Sequence, residues 1–130
     1  MEKFSIASLL DDLLNHPELP LEEFLTRYFS KDYKQCTNGQ WDNLDTFAQH
    51  ALKLREVVKV AKIEVLDELH DAKLYADRHR VYITKYDGTQ VVQEVYLFAE
   101  LNSLGKLIRT QETTLMLEGN EGDREIGTLK

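Results

Sequence analysis

Apolar residues in the first half of the chain recur at the three- and four-residue spacing of amphipathic helices. The first stripe comprises Ile6, Leu9, Leu10, Leu13 and Leu14, and the second comprises Leu21, Phe24, Leu25, Tyr28 and Phe29. Pro17 ends the first predicted helix, because proline lacks an amide hydrogen and clashes with the preceding turn. Pro20 suits the first position of the second helix, where its fixed φ is already helical.

A polar stretch, 30–41, separates the second predicted helix from a third. It contains Asn38-Gly39, which is typical of turns, and it predicts a loop or a short hairpin. Asp42 and Asn43 are good N-caps for the third helix. The stripe of that helix comprises Leu44, Phe47, Ala48 and Ala51, with Leu54 or Arg55 as a further member.

The period of the pattern changes near Val58, where β-branched and aromatic residues begin to alternate with polar ones. Four strands are predicted, at 59–69, 74–86, 90–101 and 106–117. Asp87-Gly88 is a strong hairpin signal. The short separators predict consecutive antiparallel strands, and strands of this length predict a strongly curled sheet.

These elements predict a single α+β domain over 1–117, in which three helices cover one face of a curled antiparallel sheet. Helices fill such a sheet only in part, which leaves a conical cavity for a small molecule. The remaining segment, 118–130, contains three glycines among several acids. It is predicted to be a flexible terminus.

Composition narrows the range of partners. Of the 130 residues, 23 are acidic and 16 are basic, which gives a formal charge of −7. This charge argues against nucleic acid and anionic membranes as partners, since both attract basic surfaces. Cys36 is the only cysteine, so the chain cannot form an intramolecular disulfide. No apolar run resembles a signal peptide or a membrane span, and we expect a cytoplasmic protein.

Four short motifs resemble the nuclear transport factor 2-like, or SnoaL-like, superfamily in their order and spacing. They are YFSKD (28–32), FAQH (47–50), YADRHRV (75–81) and GKLIR (105–109). The resemblance implies a cone-shaped fold, a cystatin-like α+β roll, that is usually dimeric through the sheet. A homodimer is also expected from the strands, because Tyr82, Val95 and Leu97 would make the outer face too apolar for free solvent.

The resemblance implies two classes of function. The first is a cofactor-independent acid–base enzyme of the isomerase, cyclase or dehydratase type, acting on an apolar carbonyl or hydroxyl compound of polyketide- or steroid-like character. The alternative is a non-catalytic ligand-binding or dimeric assembly module. Fold alone does not decide between them.

His79 is the strongest candidate for a catalytic residue, since a neutral imidazole can accept a proton near neutral pH. Strand alternation places Asp77 on the same face, where its carboxylate would orient the imidazole. The alternative is a histidine paired with a carboxylate for structural reasons, because ion-pair networks also perturb histidines.

The resemblance adds three further candidates. The cavity-facing phase of the last strand carries over to Thr110 and Glu112. Asp32 follows the second helix, near the place where isomerase-like members hold a general base. The alternative for Asp32 is a turn or cap aspartate.

Aromatic residues provide candidates for the wall of the cavity. Tyr28, Trp41, Tyr96 and Phe98 would line it, and Tyr96 would donate a hydrogen bond to a substrate oxygen, although core packing is the commoner fate of such residues. Glu94 shares a strand face with Tyr96 and Phe98. His50 lies about two turns into the third helix, where packing is again the alternative. We expect His79, Glu112 and Tyr96 to point into one cavity, with Asp32 near its mouth or floor.

Metal and nucleotide sites receive no support from the sequence. The four histidines are scattered, and neither a His-Glu-x-x-His motif nor a pair of cysteines is present. No glycine-rich phosphate loop follows a predicted strand.

Overall fold

The computed structural model describes residues 3–120, 122, 123 and 126. Three helices and six strands follow one another in the described residues. They are α1 (Ile6–Asn15), α2 (Leu21–Tyr28), β1 (Phe29–Thr37), β2 (Gln40–Asn43), α3 (Leu44–Val57), β3 (Val58–Asp71), β4 (Leu74–Lys85), β5 (Gln90–Leu101) and β6 (Leu107–Glu118). The three predicted helices and the four predicted long strands are therefore confirmed.

Side-chain caps begin α1 and α3. The Ser5 side chain accepts the amide N–H of Ser8 at 3.2 Å and starts α1. Asn43 accepts the amide N–H of Thr46 at 2.9 Å and starts α3, as the sequence predicts. Pro17 follows the end of α1 by two residues.

Arg55, near the end of α3, holds α1 in place. Its guanidinium donates to the carbonyl oxygens of Leu13 at 2.9 Å, Leu19 at 2.7 Å and Asp12 at 3.1 Å. Two of these carbonyls belong to the last turn of α1, where carbonyl oxygens have no hydrogen-bond donor within the helix. This residue therefore ties together the helices that cover the sheet.

The six strands form one curled sheet in the order β2-β1-β6-β5-β4-β3. The stretch expected to be a loop or short hairpin is a hairpin, and its first arm, β1, joins the main sheet. The β1–β6 pair is parallel, so the sheet is mixed and not antiparallel throughout. Parallel pairing is allowed here because a helix and four strands, not a tight turn, connect the two strands.

The sheet has an inner face, which packs on the helices, and an outer face. The inner side chains of β5 are Val91, Gln93, Val95, Leu97 and Ala99, all buried. The prediction that Val95 and Leu97 lie on the outer face is wrong. This phase of β5 is the more apolar one, and covering it with helices removes more apolar surface from water.

Part of the predicted flexible terminus packs on this core. Asp123 accepts a hydrogen bond from Lys85 Nζ at 2.8 Å, and Ile126 is 5% exposed. Residues 121, 124, 125 and 127–130 lie outside the described residues. None of the helices in the described part of the chain has both the length and the apolar character that a membrane crossing requires.

Candidate functional site

Between the helices and the inner face of the sheet lie two small chambers of about 90 Å³ and 100 Å³. Both are lined by Leu10, His50, Leu54 and Glu112, so the chambers adjoin at these residues. We call them the β1 chamber, which Tyr33 and Gln35 also line, and the β4 chamber, which His79 also lines. Together we call them the cavity.

His79 and Asp77 form a buried pair on the inner face of β4. Asp77 Oδ2 lies 2.7 Å from His79 Nδ1, and their side chains are 0% and 3% exposed. When Nδ1 carries the proton and donates to the carboxylate, Nε2 on the far side of the ring is the proton acceptor. Asp77 thus orients the imidazole and selects its tautomer.

Glu112 belongs to a chain of hydrogen bonds that runs from β1 to β6. Tyr33 Oη donates to Gln35 Oε1 at 2.7 Å, Gln35 Nε2 donates to Thr37 Oγ1 at 3.0 Å, and Thr37 Oγ1 donates to Glu112 Oε1 at 3.2 Å. Thr110 Oγ1 also lies 2.5 Å from Tyr33 Oη. The parallel register makes this chain possible, because it sets Gln35 beside Thr110 and Thr37 beside Glu112.

Desolvation dominates the electrostatics of the carboxyl groups in the cavity. It raises the pKa of Glu112, and the nearby His79 and the hydrogen bond from Thr37 oppose this rise. It also raises the pKa of Asp77, against the hydrogen bond from His79. A raised pKa favours the protonated acid, so Glu112 is suited to hold and donate a proton.

Four predicted site residues line the two chambers: His79, Glu112, Thr110 and His50. A fifth, Asp77, lies behind His79 and bonds to its Nδ1. His79 is 2% exposed, and His50 is 7% exposed and faces both chambers.

Three predicted residues of β5 lie on the outer face instead. Tyr96 and Phe98 are 44% and 42% exposed. Glu94 is covered by outer side chains: it accepts from Arg80 Nε at 2.9 Å and from the Tyr96 hydroxyl. Tyr96 does not line the chambers beside His79, because the opposite phase of β5 is buried. With Phe98 it lines a separate, more open pocket of about 430 Å³, which Asp77 and Glu112 also line.

The remaining predicted residues also lie away from the cavity. Asp32 is exposed on β1, where an irregularity between Phe29 and Lys34 shifts the register, and its amide N–H donates to Ser30 Oγ at 3.3 Å. Tyr28 donates to Asp12 Oδ2 at 2.5 Å and lines neither chamber. Trp41 is 53% exposed on the short edge strand β2. The sequence places all three beside the cavity, and the fold does not.

Several polar residues of the cavity were not predicted. Tyr33, Gln35 and Thr37 lie in the stretch interpreted as a loop or hairpin, although their two-residue spacing is that of a strand face. Gln93 occupies the middle of the otherwise apolar phase of β5 and is 4% exposed. The sequence signal for Gln93 was a polar residue at a position where that face of the strand is otherwise apolar.

Among the described residues, one group of side chains has the spacing of a metal site. Ligand atoms of Asp11, Asp12 and His16 lie within 4.8 Å of one another near the end of α1. Their hydrogen bonds are made within the protein: His16 contacts Asp11 at 3.1 Å, and Asp12 accepts from Arg27 at 3.0 Å. The group lies outside the cavity.

No family model matches the chain. An uncharacterized protein of Schizosaccharomyces pombe is 28% identical over 108 residues, which cover 83% of this chain and 82% of that protein.

Solved structures resemble the chain over most of its length. An isomerase candidate from Rhodopseudomonas palustris has a TM-score of 0.69 at 10% identity and covers 82% of each chain. IdmH, a candidate polyketide cyclase from Streptomyces antibioticus, has a TM-score of 0.66 at 12% identity over 84% of this chain and 88% of its own. An NTF2-like protein of unknown function from Exiguobacterium sp. 255-15 has a TM-score of 0.64 at 20% identity, over 85% and 99%.

These likenesses, together with the three helices on a curled six-stranded sheet, identify the fold. The chain has the α+β fold of the nuclear transport factor 2-like, or SnoaL-like, superfamily.

Proposed function

We propose that the protein is a cofactor-independent enzyme that moves protons on a small, largely apolar carbonyl or hydroxyl compound. One observation carries the proposal: His79, held by the buried Asp77, and Glu112 line the same chamber. These groups provide an oriented base and a carboxyl group whose pKa is raised, which is the combination that acid–base catalysis requires.

In the proposed reaction, His79 Nε2 removes a proton from the carbon next to a carbonyl group. The electron pair of the broken C–H bond moves into the adjacent bond, and the carbonyl π electrons move onto oxygen. Return of a proton to carbon, from the Glu112 carboxyl or from the imidazolium, restores the carbonyl. The net result is an isomerisation or an exchange of protons, with no cofactor and no change of oxidation state.

The walls of the cavity support an apolar substrate. The β4 chamber is bounded mainly by aliphatic side chains, namely Leu10, Leu14, Leu54, Val81, Ile83, Val95 and Ile126. The names of structural neighbours, an isomerase candidate and a candidate polyketide cyclase, agree with this chemistry.

We also propose that the protein is cytoplasmic. Cys36 is buried and unpaired, and disulfides are rare in that compartment.

Proton exchange in heavy water tests the proposal. The protein would be incubated in D₂O with small cyclic ketones, and deuterium entering next to the carbonyl would be followed by NMR. We expect the wild type to exchange deuterium faster than buffer without protein does. His79→Gln should reduce the exchange rate by about 100-fold or more. His70→Gln is the matched control, because His70 lies exposed on β3 and bonds to the Phe4 carbonyl at 2.9 Å. A ketone that binds in the cavity without exchange would contradict the enzyme proposal.

The outer face of the sheet supports a second candidate function, a homodimeric binding or assembly module. Tyr96, Phe98, Leu115 and Leu117 are 42–51% exposed there, and exposed apolar patches mark interaction surfaces. Light scattering at micromolar concentration should give twice the chain mass of 15.1 kDa. Leu115→Arg should give the monomer, and a wild-type monomer would contradict this candidate.

A further inference from the structure

Gln93 presents an unused hydrogen-bond donor to the β4 chamber. It lies on the inner face of β5 and is 4% exposed. Its Nε2 is buried, and no acceptor in the described part of the chain bonds to it. Buried amides are almost always hydrogen-bonded, because an unpaired donor lowers the stability of the fold. An unpaired amide in a cavity therefore points to a ligand that completes it.

The charges around the cavity restrict what this ligand can be. No lysine or arginine is among the described residues that line either chamber. Glu112 lies between the chambers, and Asp77 lies behind His79. A carboxylate or phosphate would enter without a positive partner and close to these carboxyl groups, at a high cost in desolvation. The occupant is therefore uncharged.

The register of the strands places Gln93 beside the proposed base. His79 pairs with Val95, so Gln93, two residues along β5, is its diagonal neighbour. Diagonal positions of this kind are about 7–8 Å apart across a sheet, within reach of long side chains. A carbonyl oxygen bonded to the Gln93 amide would thus leave the adjacent carbon within reach of His79.

We propose that Gln93 Nε2 donates to the carbonyl oxygen of a neutral ketone or aldehyde, and that this contact selects the substrate class. The inference rests on the proposed function, since it assigns the substrate of the same cavity. When His79 removes the proton, negative charge develops on that oxygen, and a fixed amide donor in a dry site stabilises it.

Three small probes test the ligand class: cyclopentanone, methylenecyclopentane and cyclobutanecarboxylate. They are similar in size and differ in the oxygen and the charge. Binding would be followed through the methyl resonances of Val81, Ile83 and Val95, which line the chamber. We expect wild-type protein to bind the ketone most tightly, the hydrocarbon more weakly and the carboxylate not at all. Tightest binding of the carboxylate, or no binding of the ketone, would overturn the inference.

Gln93→Met tests the residue, because methionine keeps the length of glutamine and removes its donor. We expect about tenfold weaker binding of cyclopentanone and unchanged binding of methylenecyclopentane. Gln90→Met is the control, since Gln90 is exposed at the start of β5. Equal ketone affinity in the wild type and Gln93→Met would overturn the role of Gln93.

The stability of Gln93→Met provides a readout that requires no ligand. If the donor is unpaired in the free protein, its removal should leave the melting temperature unchanged or raise it. A clear fall would mean that the amide already bonds to a buried water, and would also overturn the inference.

The two proposals fail in different ways. Weaker ketone binding in Gln93→Met without any deuterium exchange by the wild type would support Gln93 and contradict the enzyme. Exchange that His79→Gln abolishes and Gln93→Met leaves unchanged, with equal affinity, would support the enzyme and contradict Gln93.

Discussion

Glu112 and Glu94 lie on the neighbouring strands β6 and β5, but they face opposite sides of the sheet. Desolvation raises the pKa of Glu112, whose carboxyl group accepts a hydrogen bond from Thr37. The hydrogen bond from Tyr96, followed by that from Arg80, lowers the pKa of Glu94. The pKa values of identical side chains are therefore shifted in opposite directions, because one faces the cavity and the other faces a cluster of donors.

The same contrast holds along β4. Asp77 and His79 alternate with Arg78 and Arg80 along the strand. Adjacent residues therefore belong to a buried pair on the inner face and to ion pairs on the outer face. Arg78 bonds to Asp67 at 2.9 Å, where the Asp67 side chain is 70% exposed. The inner face holds the groups suited to proton transfer, and the outer face holds charges that are paired with one another. Four pairs of matched variants test this difference.

The largest expected difference is catalytic. Asp77→Asn should reduce the deuterium exchange proposed above by about 100-fold or more, because the amide no longer holds His79 in the productive tautomer. Asp67→Asn, on the outer side, should leave the rate unchanged. Equal rates in the two variants would contradict a role for the buried pair.

Packing should give the next largest difference. Leu97→Ala removes a side chain that is 7% exposed on the inner face, and we expect it to lower the free energy of unfolding by about 2–4 kcal/mol. Leu115→Ala removes one that is 51% exposed, and its cost should stay below about 0.5 kcal/mol. Urea denaturation measures both. A cost for Leu115→Ala equal to that of Leu97→Ala would show that the outer face is covered as well.

Hydrogen bonds should follow the same order. Tyr33→Phe leaves Gln35 and Thr110 without their shared hydroxyl, and a cost of about 1–3 kcal/mol is expected because these groups are buried. Tyr82→Phe removes an exposed bond to Glu64 at 2.9 Å, with a cost below about 0.5 kcal/mol. Denaturation midpoints that fall equally in both variants would argue against a special role for the buried chain.

The smallest expected difference concerns pH. The folded pKa of Glu112 is raised, so its contribution to stability is complete below its unfolded value of about 4.5 and is lost as the pH rises through the folded pKa. Glu112→Gln should therefore raise the melting temperature by a few degrees at neutral pH, with little change in acid.

Glu94 should behave in the opposite way. Its folded pKa is lowered, so its contribution is present above about 4.5 and is lost as the pH falls through the folded pKa. Glu94→Gln should lower the melting temperature slightly at neutral pH. Thermal melts between pH 4 and 8 compare the two variants, and slopes of the same sign would contradict the assignment.

Much of the fold is predictable because local periodicity reports it directly. Leu9 and Leu13 recur at helical spacing, Asn43 caps a helix and Asp87-Gly88 closes a hairpin, and each of these features depends on neighbours in the chain. Strand alternation likewise places Asp77 beside His79 on one face. The site could be predicted to this extent.

The facing of β5 and the role of β1 could not be predicted in this way. Alternation shows that Glu94, Tyr96 and Phe98 share a face, but not which face the helices cover, and a shift of one residue exchanges the two. Tyr33 was missed because 30–41 was interpreted as a loop or hairpin. The strand that carries Tyr33 pairs with β6, which lies about 75 residues away along the chain.

The helices, the long strands and the pairing of His79 with Asp77 follow from the sequence, because they depend on periodicity within one segment. The assembled sheet brings Glu112 to that pair, keeps Tyr96 and Asp32 out of the two chambers, and turns Gln93 and Tyr33 toward them. The physical reason is burial: the side of a strand that faces inward depends on which apolar surface the helices cover, and that choice belongs to the whole fold.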